Sequence, residues 1–273
     1  MREGGRRRWR QVSAPLRMRP DFIIPGEAKC GTTSLYRYLS QHPEIFPASM
    51  KEPNNFWRHG ASPLQCGQHY PLRIVAGVRR WFGKSTLTGE ASPEYFTKTG
   101  VPKSIQEVVP GVRLIFLFRN PVDRAFSDHQ MLVNAGVESR SFRTRMEQAL
   151  AWFEDEGTRE LVQACQDLEH HPARYLMRGC YADHLRPWLE IFPREQMLFL
   201  ESEDFFEDPG GSLNQVFDFL GLKGLETESW EIFKKGRYNQ EAVEDALRKA
   251  LEDFYRKANR KLSELTGRNW SWA

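Results

Sequence analysis

The chain has 273 residues, 40% of them hydrophobic and 27% charged, with a formal net charge of +3. That length and apolar content can bury one sizeable core, and so small a net charge does not argue for nucleic acid as a partner. Cys30, Cys66, Cys165 and Cys180 are too few for a disulfide framework in a chain this long, which leaves only a pairing of Cys165 with Cys180 open. No Cys-x-x-Cys or Cys/His cluster stands at ligand spacing, so no metal site is expected.

Residues 1–19 read as a basic arm, with Arg2, Arg6, Arg7, Arg8, Arg10, Arg17 and Arg19 and hardly an apolar residue among them; such an arm is expected to be disordered or loosely packed. Residues 20–273 are expected to make one domain. Phe22, Ile23 and Ile24 form the short apolar run that a buried parallel strand needs, and Pro25 and Gly26 break it. Gly31 then permits a tight turn, and Thr32, Thr33 and Ser34 supply a helix cap and hydroxyl donors ahead of Leu35, Tyr36 and Leu39. A strand, a loop and a helix start in so few residues gather unpaired N–H groups and a positive dipole end around one cavity, which suits a phosphate. Gly26 and Gly31 have the spacing of a nucleotide triphosphatase loop, G-x-x-x-x-G-K-[ST], but Thr32 fills the lysine position and Lys29 sits inside the loop. From there a lysine can reach a bridging phosphate oxygen, where charge develops if a group is transferred away.

Further on, Pro53 keeps Glu52 out of helical geometry, so Lys51 and Glu52 are expected on an extended loop beside Phe56 and Trp57. Residues 58–85, rich in Gly, Pro, His and Arg, read as irregular structure over the substrate side. A short strand at 86–90 leads into Ala91-Ser92-Pro93-Glu94-Tyr95-Phe96, where Glu90 and Glu94 are candidates for acid–base work or substrate binding. A helix over 102–109 precedes a second strong strand, 112–118, which delivers Arg119 where a triphosphatase would place an aspartate for magnesium. Pro121 suits the first turn of a helix, and Ser127 lies about two turns beyond Arg119, so guanidinium and hydroxyl can share one phosphate. Helical patterning continues over 134–171, with Phe142, Met146, Leu150 and Phe153 as its buried face, and over 182–191 and 213–220, with a strand at 197–200. A long final helix over 240–266 carries Glu244 with Arg248 and Glu252 with Arg256 at i,i+4. Ahead of it, Lys235-Gly236-Arg237 gives a cationic glycine turn.

These stretches resemble sulfotransferases that use 3′-phosphoadenosine 5′-phosphosulfate (PAPS), above all the carbohydrate and heparan-sulfate type, over roughly residues 20–272. The loop at 26–34 is similar to their 5′-phosphosulfate loop, and Arg-x-Pro-x-x-Arg-x-x-Ser, starting at Arg119, is similar to their 3′-phosphate site. The resemblance implies a three-layer α/β/α single domain with a central parallel sheet of P-loop-like type, ligand at the carboxyl ends of the strands. It implies Lys29 as stabiliser of the leaving phosphate, Glu52 as general base, and donor contacts from Lys29, Cys30, Gly31, Thr32, Thr33, Ser34, Arg119, Ser127, Lys235, Gly236 and Arg237. Lys51, Glu90 and Glu94 fall where substrate contacts are made. Ala91 stands where several heparan-sulfate enzymes have a lysine, and their disulfide-bounded insertion before the Lys-Gly-Arg turn is missing.

The implied activity is metal-independent sulfuryl transfer from PAPS to a hydroxyl or amine, on a glycan or else a small metabolite, leaving 3′,5′-adenosine bisphosphate. A P-loop kinase or triphosphatase and a non-catalytic nucleotide binder are the rival readings. No window approaches the roughly 20 apolar residues of a membrane span, and the amino terminus lacks a signal-peptide core. The chain is therefore expected to be soluble as given, cytoplasmic, or in the Golgi lumen if an anchor precedes it.

Overall fold

A computed structural model describes residues 3–58, 66–156, 171–225 and 243–273. Its centre is a parallel sheet of β1 (Phe22–Gly26), β2 (Gly89–Ala91), β3 (Arg113–Phe118) and β4 (Met197–Glu201), in the order β2-β1-β3-β4. The helices are α1 (Glu3–Val12), α2 (Thr32–Leu39), α3 (Asn55–Arg58), α4 (Arg73–Trp81), α5 (Val101–Val108) and α6 (Pro121–Asn134). They continue with α7 (Phe142–Glu156), α8 (Ala173–Met177), α9 (Tyr181–Ile191), α10 (Ser202–Glu207), α11 (Pro209–Leu220) and α12 (Asp245–Thr266).

The strands read as unbroken apolar runs because both faces of the sheet are covered. Ile23, Leu114, Phe116, Phe118 and Phe199 face one side, packing with Ile105, Leu185, Trp188 and Leu262 of α5, α9 and α12. Phe22, Ile24, Ile115, Leu117 and Leu200 face the other, against Leu35, Leu39, Phe205, Leu213 and Phe217 of α2, α10 and α11. The result is the expected three-layer α/β/α domain. A third cluster beyond the sheet joins Phe142, Met146 and Phe153 of α7 to Tyr175, Leu176 and Tyr255. Because β1 leads first to β2 on one side and then to β3 on the other, the crevice at the carboxyl ends of β1 and β3 is the switch point where such sheets bind ligands.

Several expectations need correction. The basic arm contains a helix, α1, and its last arginines are tied down: Arg17 donates to Tyr70 O (2.8 Å) and Arg19 to Val108 O (2.8 Å). Residues 73–81, expected to be irregular, form α4, with Gly77 tolerated inside it. The helical pairs of α12 are rearranged, since Arg248 turns to Asp123 (2.8 Å) and Arg256 pairs with Asp253. Among the described residues no helix is long and apolar enough to cross a membrane.

Candidate active site

After β1 the chain turns back through residues 27–31 before entering α2. Glu27 N donates to Leu117 O of β3 (2.9 Å) and Cys30 N to Glu27 O (3.3 Å), which fixes the start of the loop to the neighbouring strand. Gly31 has φ +94°, and a Cβ there would lie 2.8 Å from Phe206 Cζ, so conformation and space both require glycine. Thr32 to Ser34 were expected to cap the helix; instead Gly31 occupies the cap position and, having no side chain, makes no side-chain cap bond. The first-turn amides of α2, like those of any helix, have no intrahelical acceptor at the end of the loop. Thr32 and Ser34 are buried, while Lys29 and Thr33 remain half-buried. Burial, with Glu27 beside it, pushes the Cys30 thiol up to about 12, so it stays protonated.

Arg119 emerges directly after β3 and donates from Nη1 to Lys29 O (3.4 Å), placing it against the loop. Tyr181 OH donates to Arg119 O (2.9 Å), and Asn120 Oδ1 accepts Val122 N (2.9 Å) to cap α6. The Ser202 hydroxyl sits between Cys30 O (2.7 Å) and Phe118 O (2.9 Å), tying loop and strand to the chain after β4. Ser127 is buried on α6. Lys235, Gly236, Arg237 and Cys165 lie outside the described residues.

Beneath the loop is a charged cluster that the sequence did not reveal. Arg178, nearly fully buried, donates to Glu27 Oε1 through Nε (2.9 Å) and Nη2 (2.6 Å) and to Glu94 Oε1 through Nη1 (3.0 Å). Burial pushes the Glu27 carboxyl up against the pull of Arg178 and Arg124; burial also raises Glu94, but Arg178 outweighs it and holds that carboxyl below its ordinary range. Alongside, buried Arg124 pairs with Asp128 (3.2 Å) and donates to Tyr175 O (2.6 Å), and Arg174 adds a second cation to Asp128 (3.3 Å). A glutamate inside a phosphate loop was the available signal, but its partner is 151 positions away and no local pattern names it.

The segment carrying Glu52 approaches from the β2 side. Asn54 N reaches Ser92 Oγ (3.5 Å), Ser92 N donates to Ile24 O (3.1 Å), and Phe56 N donates to the Tyr95 hydroxyl (3.2 Å). Through those links the segment docks on the carboxyl end of the sheet, with Glu52 (φ +60°) and Asn54 (φ +51°) in left-handed conformations. Such backbone is uncommon outside glycine and clusters at functional sites. The Glu52 side chain is 40% exposed and paired with Lys51. Glu90 is different: it is completely buried, and burial pushes its carboxyl up to about 7 against the pull of the Tyr95 and Tyr70 hydroxyls. A direct substrate contact from Glu90 therefore does not follow from its position, whereas Glu94 keeps 37% of its side chain exposed.

A family model described as the sulfotransferase domain matches residues 19–261. The chain is 31% identical to mouse heparan sulfate glucosamine 3-O-sulfotransferase 3B1, over 93% of this chain and 65% of that protein. It is 30% identical to human heparan sulfate glucosamine 3-O-sulfotransferase 6, over 96% of this chain and 76% of that protein. The crystal structure of a sulfotransferase from Alicyclobacillus acidocaldarius superposes with a TM-score of 0.69 at 28% identity, covering 93% of this chain and 99% of that one. The chain thus spans about 65% of the length of the first of these relatives.

Proposed function

The chain belongs to the sulfotransferase domain family, and from that premise we propose that it transfers the sulfuryl group of PAPS to a hydroxyl or amine of a carbohydrate acceptor. One observation carries the reading: Arg119, at the end of β3, donates to the backbone oxygen of Lys29, so its guanidinium lies against the loop that follows β1, which supports one nucleotide spanning both. The cradle suits a phosphate, because a side chain at Gly31 would strike Phe206 and the first-turn amides of α2 have no side-chain cap. PAPS supplies an activated sulfuryl group on a phosphate leaving group.

Lys29 and the amides from Gly31 to Ser34 would hold the 5′ end, and Lys29 Nζ would stabilise charge on the departing phosphate oxygen. Arg119 and Ser127 would hold the 3′-phosphate, joined by Lys235, Gly236 and Arg237. Glu52 would accept the proton of the acceptor hydroxyl; its exposure suits a base that must meet an incoming molecule. Glu94 and Lys51 would contact the acceptor. The relatives' names support a glycan, while Ala91, buried where those enzymes place a lysine, leaves the small-metabolite alternative in play.

The test is to incubate the protein with labelled PAPS and a panel of glycan and small-molecule acceptors. We expect label in a glycan, and a loss of about 10²–10³ in rate for Lys29→Ala, as for removal of one preorganised charge stabiliser. Full activity in Lys29→Ala would reject its role. Thermal stabilisation by magnesium ATP alone, without stabilisation by 3′,5′-adenosine bisphosphate, would reject the reading as a whole.

A further inference from the structure

Helix α4 has an amphipathic sequence turned the unusual way round. Ile74, Val78, Trp81 and Phe82, at i, i+4, i+7 and i+8, share one stripe, yet they are 70%, 53%, 88% and 73% exposed. The side facing the protein is held instead by Arg79, which donates to Pro43 O (2.9 Å) and Thr86 Oγ1 (3.1 Å) and lies over the Phe46 ring. Arg73 reaches back to Arg17 O (2.9 Å), and the chain just before the helix pairs with the amino-terminal segment through the Arg17–Leu72 bridge. That segment exposes Trp9, Val12 and Leu16 as well.

The chain on either side of this stripe carries charge of one sign. From Pro53 to Gly89 there is no Asp or Glu but there are Arg58, Arg73, Arg79, Arg80 and Lys84, and residues 4–20 likewise carry arginines and no carboxylate. The carboxylates nearest α4 are engaged by backbone, Asp21 Oδ2 accepting Thr88 N (2.8 Å) and Glu44 Oε1 accepting Ser85 N (3.2 Å). A cleft of about 470 Å³ beside the helix is lined by Arg80, Lys84, Ser85 and Thr86 together with Asp21.

We propose that this face docks the protein on an anionic lipid bilayer, with Trp81, Phe82, Ile74 and Val78 entering the headgroup boundary and Arg73, Arg80 and Lys84 meeting acidic headgroups. A solvent-facing apolar stripe alone would suit any apolar partner; an apolar stripe flanked by the exposed cations Arg73, Arg80 and Lys84 selects a surface that is apolar inside and anionic outside. A second copy of this chain is disfavoured, because the same arginines would face one another. The geometry also leaves the proposed active site free. Asp21 and Leu87, which line the cleft, precede β1 and β2, so α4 lies at the amino ends of the strands while Lys29 and Arg119 lie at the carboxyl ends.

The experiment is co-sedimentation of the full chain with vesicles of phosphatidylcholine alone or mixed with phosphatidylserine, with light scattering of the protein alone. The expected result is binding to the mixed vesicles only. It should be lost in Trp81→Ser/Phe82→Ser and weakened at least about tenfold in Arg80→Glu/Lys84→Glu, at roughly 1 kcal/mol per juxtamembrane cation. Both variants alter exposed side chains, so their thermal unfolding and sulfuryl transfer to a soluble acceptor should match the parent. Failure of the parent to bind mixed vesicles, or binding untouched by both variants, overturns the proposal. So does a dimer in solution that dissociates in Trp81→Ser/Phe82→Ser, which would assign the face to a second copy.

Discussion

Around the phosphate loop Glu27, Arg178, Arg124 and Asp128 are buried and ion-paired, whereas the segment bearing Glu52 is held to the fold by backbone amides on the hydroxyls of Ser92 and Tyr95. The first arrangement fixes the loop rigidly, since each buried charge depends on its partner, and on the proposed reading that loop is the donor cradle. The second leaves a partly exposed carboxylate on left-handed backbone, able to adjust to an acceptor. On the proposed reading, donor recognition would be built into the sheet, and acceptor choice would be left to an irregular segment laid against it.

The comparison breaks most readily at Arg178. Arg178→Met leaves Glu27 buried without its partner and should cost about 3–5 kcal/mol in urea unfolding, whereas adding Glu27→Gln should restore a large part of the loss. Equal destabilisation in single and double variants would mean that the pair does not hold the loop. On the acceptor side, Glu52→Gln should lower kcat by about 10²–10⁴ while unfolding and 3′,5′-adenosine bisphosphate affinity stay unchanged. A large shift in that affinity would show that the two halves are not separate.

Glu90 sharpens the contrast through pH. Its carboxyl lies at about 7 in the folded protein, above the ordinary 4.5, so folding favours the protonated form. The stability it contributes is present below about pH 4.5 and is lost as pH rises towards 7, by up to about 3 kcal/mol at 1.36 kcal/mol per unit. Glu90→Gln should remove that slope in unfolding measured from pH 5 to 8; an unchanged slope would assign the pH dependence elsewhere. The smallest effect is expected for Tyr95→Phe, which deletes the hydroxyl receiving Phe56 N: about 1 kcal/mol of stability, with a raised KM for the acceptor and none for the donor.

What could be read in the sequence was whatever is local. The strand–loop–helix at 22–39 and the strand ending in Arg119 were recognisable because their residue types and spacings directly set backbone geometry, and the three-layer sheet follows from strands apolar on both faces. The clamp of Glu27 by Arg178 was not readable, because its partners meet only after the sheet and α8, which Arg178 follows, have assembled. Helix α4 was missed for another reason: its stripe has helical period, but a Gly and a run of arginines within a Gly- and Pro-rich stretch gave no reason to expect an apolar face pointing to water. Glu90 looked like a substrate contact on sequence, and only burial against Tyr70 and Tyr95 shows it set inside the domain.

The most direct measurement is calorimetric titration of 3′,5′-adenosine bisphosphate into the parent, Lys29→Ala, Arg119→Ala and the double variant. One nucleotide gripped from both ends predicts a single site, weakened by about 10- to 100-fold in Arg119→Ala as a charge-assisted contact is lost, and further in the double variant. Unchanged affinity in Arg119→Ala, or magnesium ATP binding more tightly than the bisphosphate, would contradict the account.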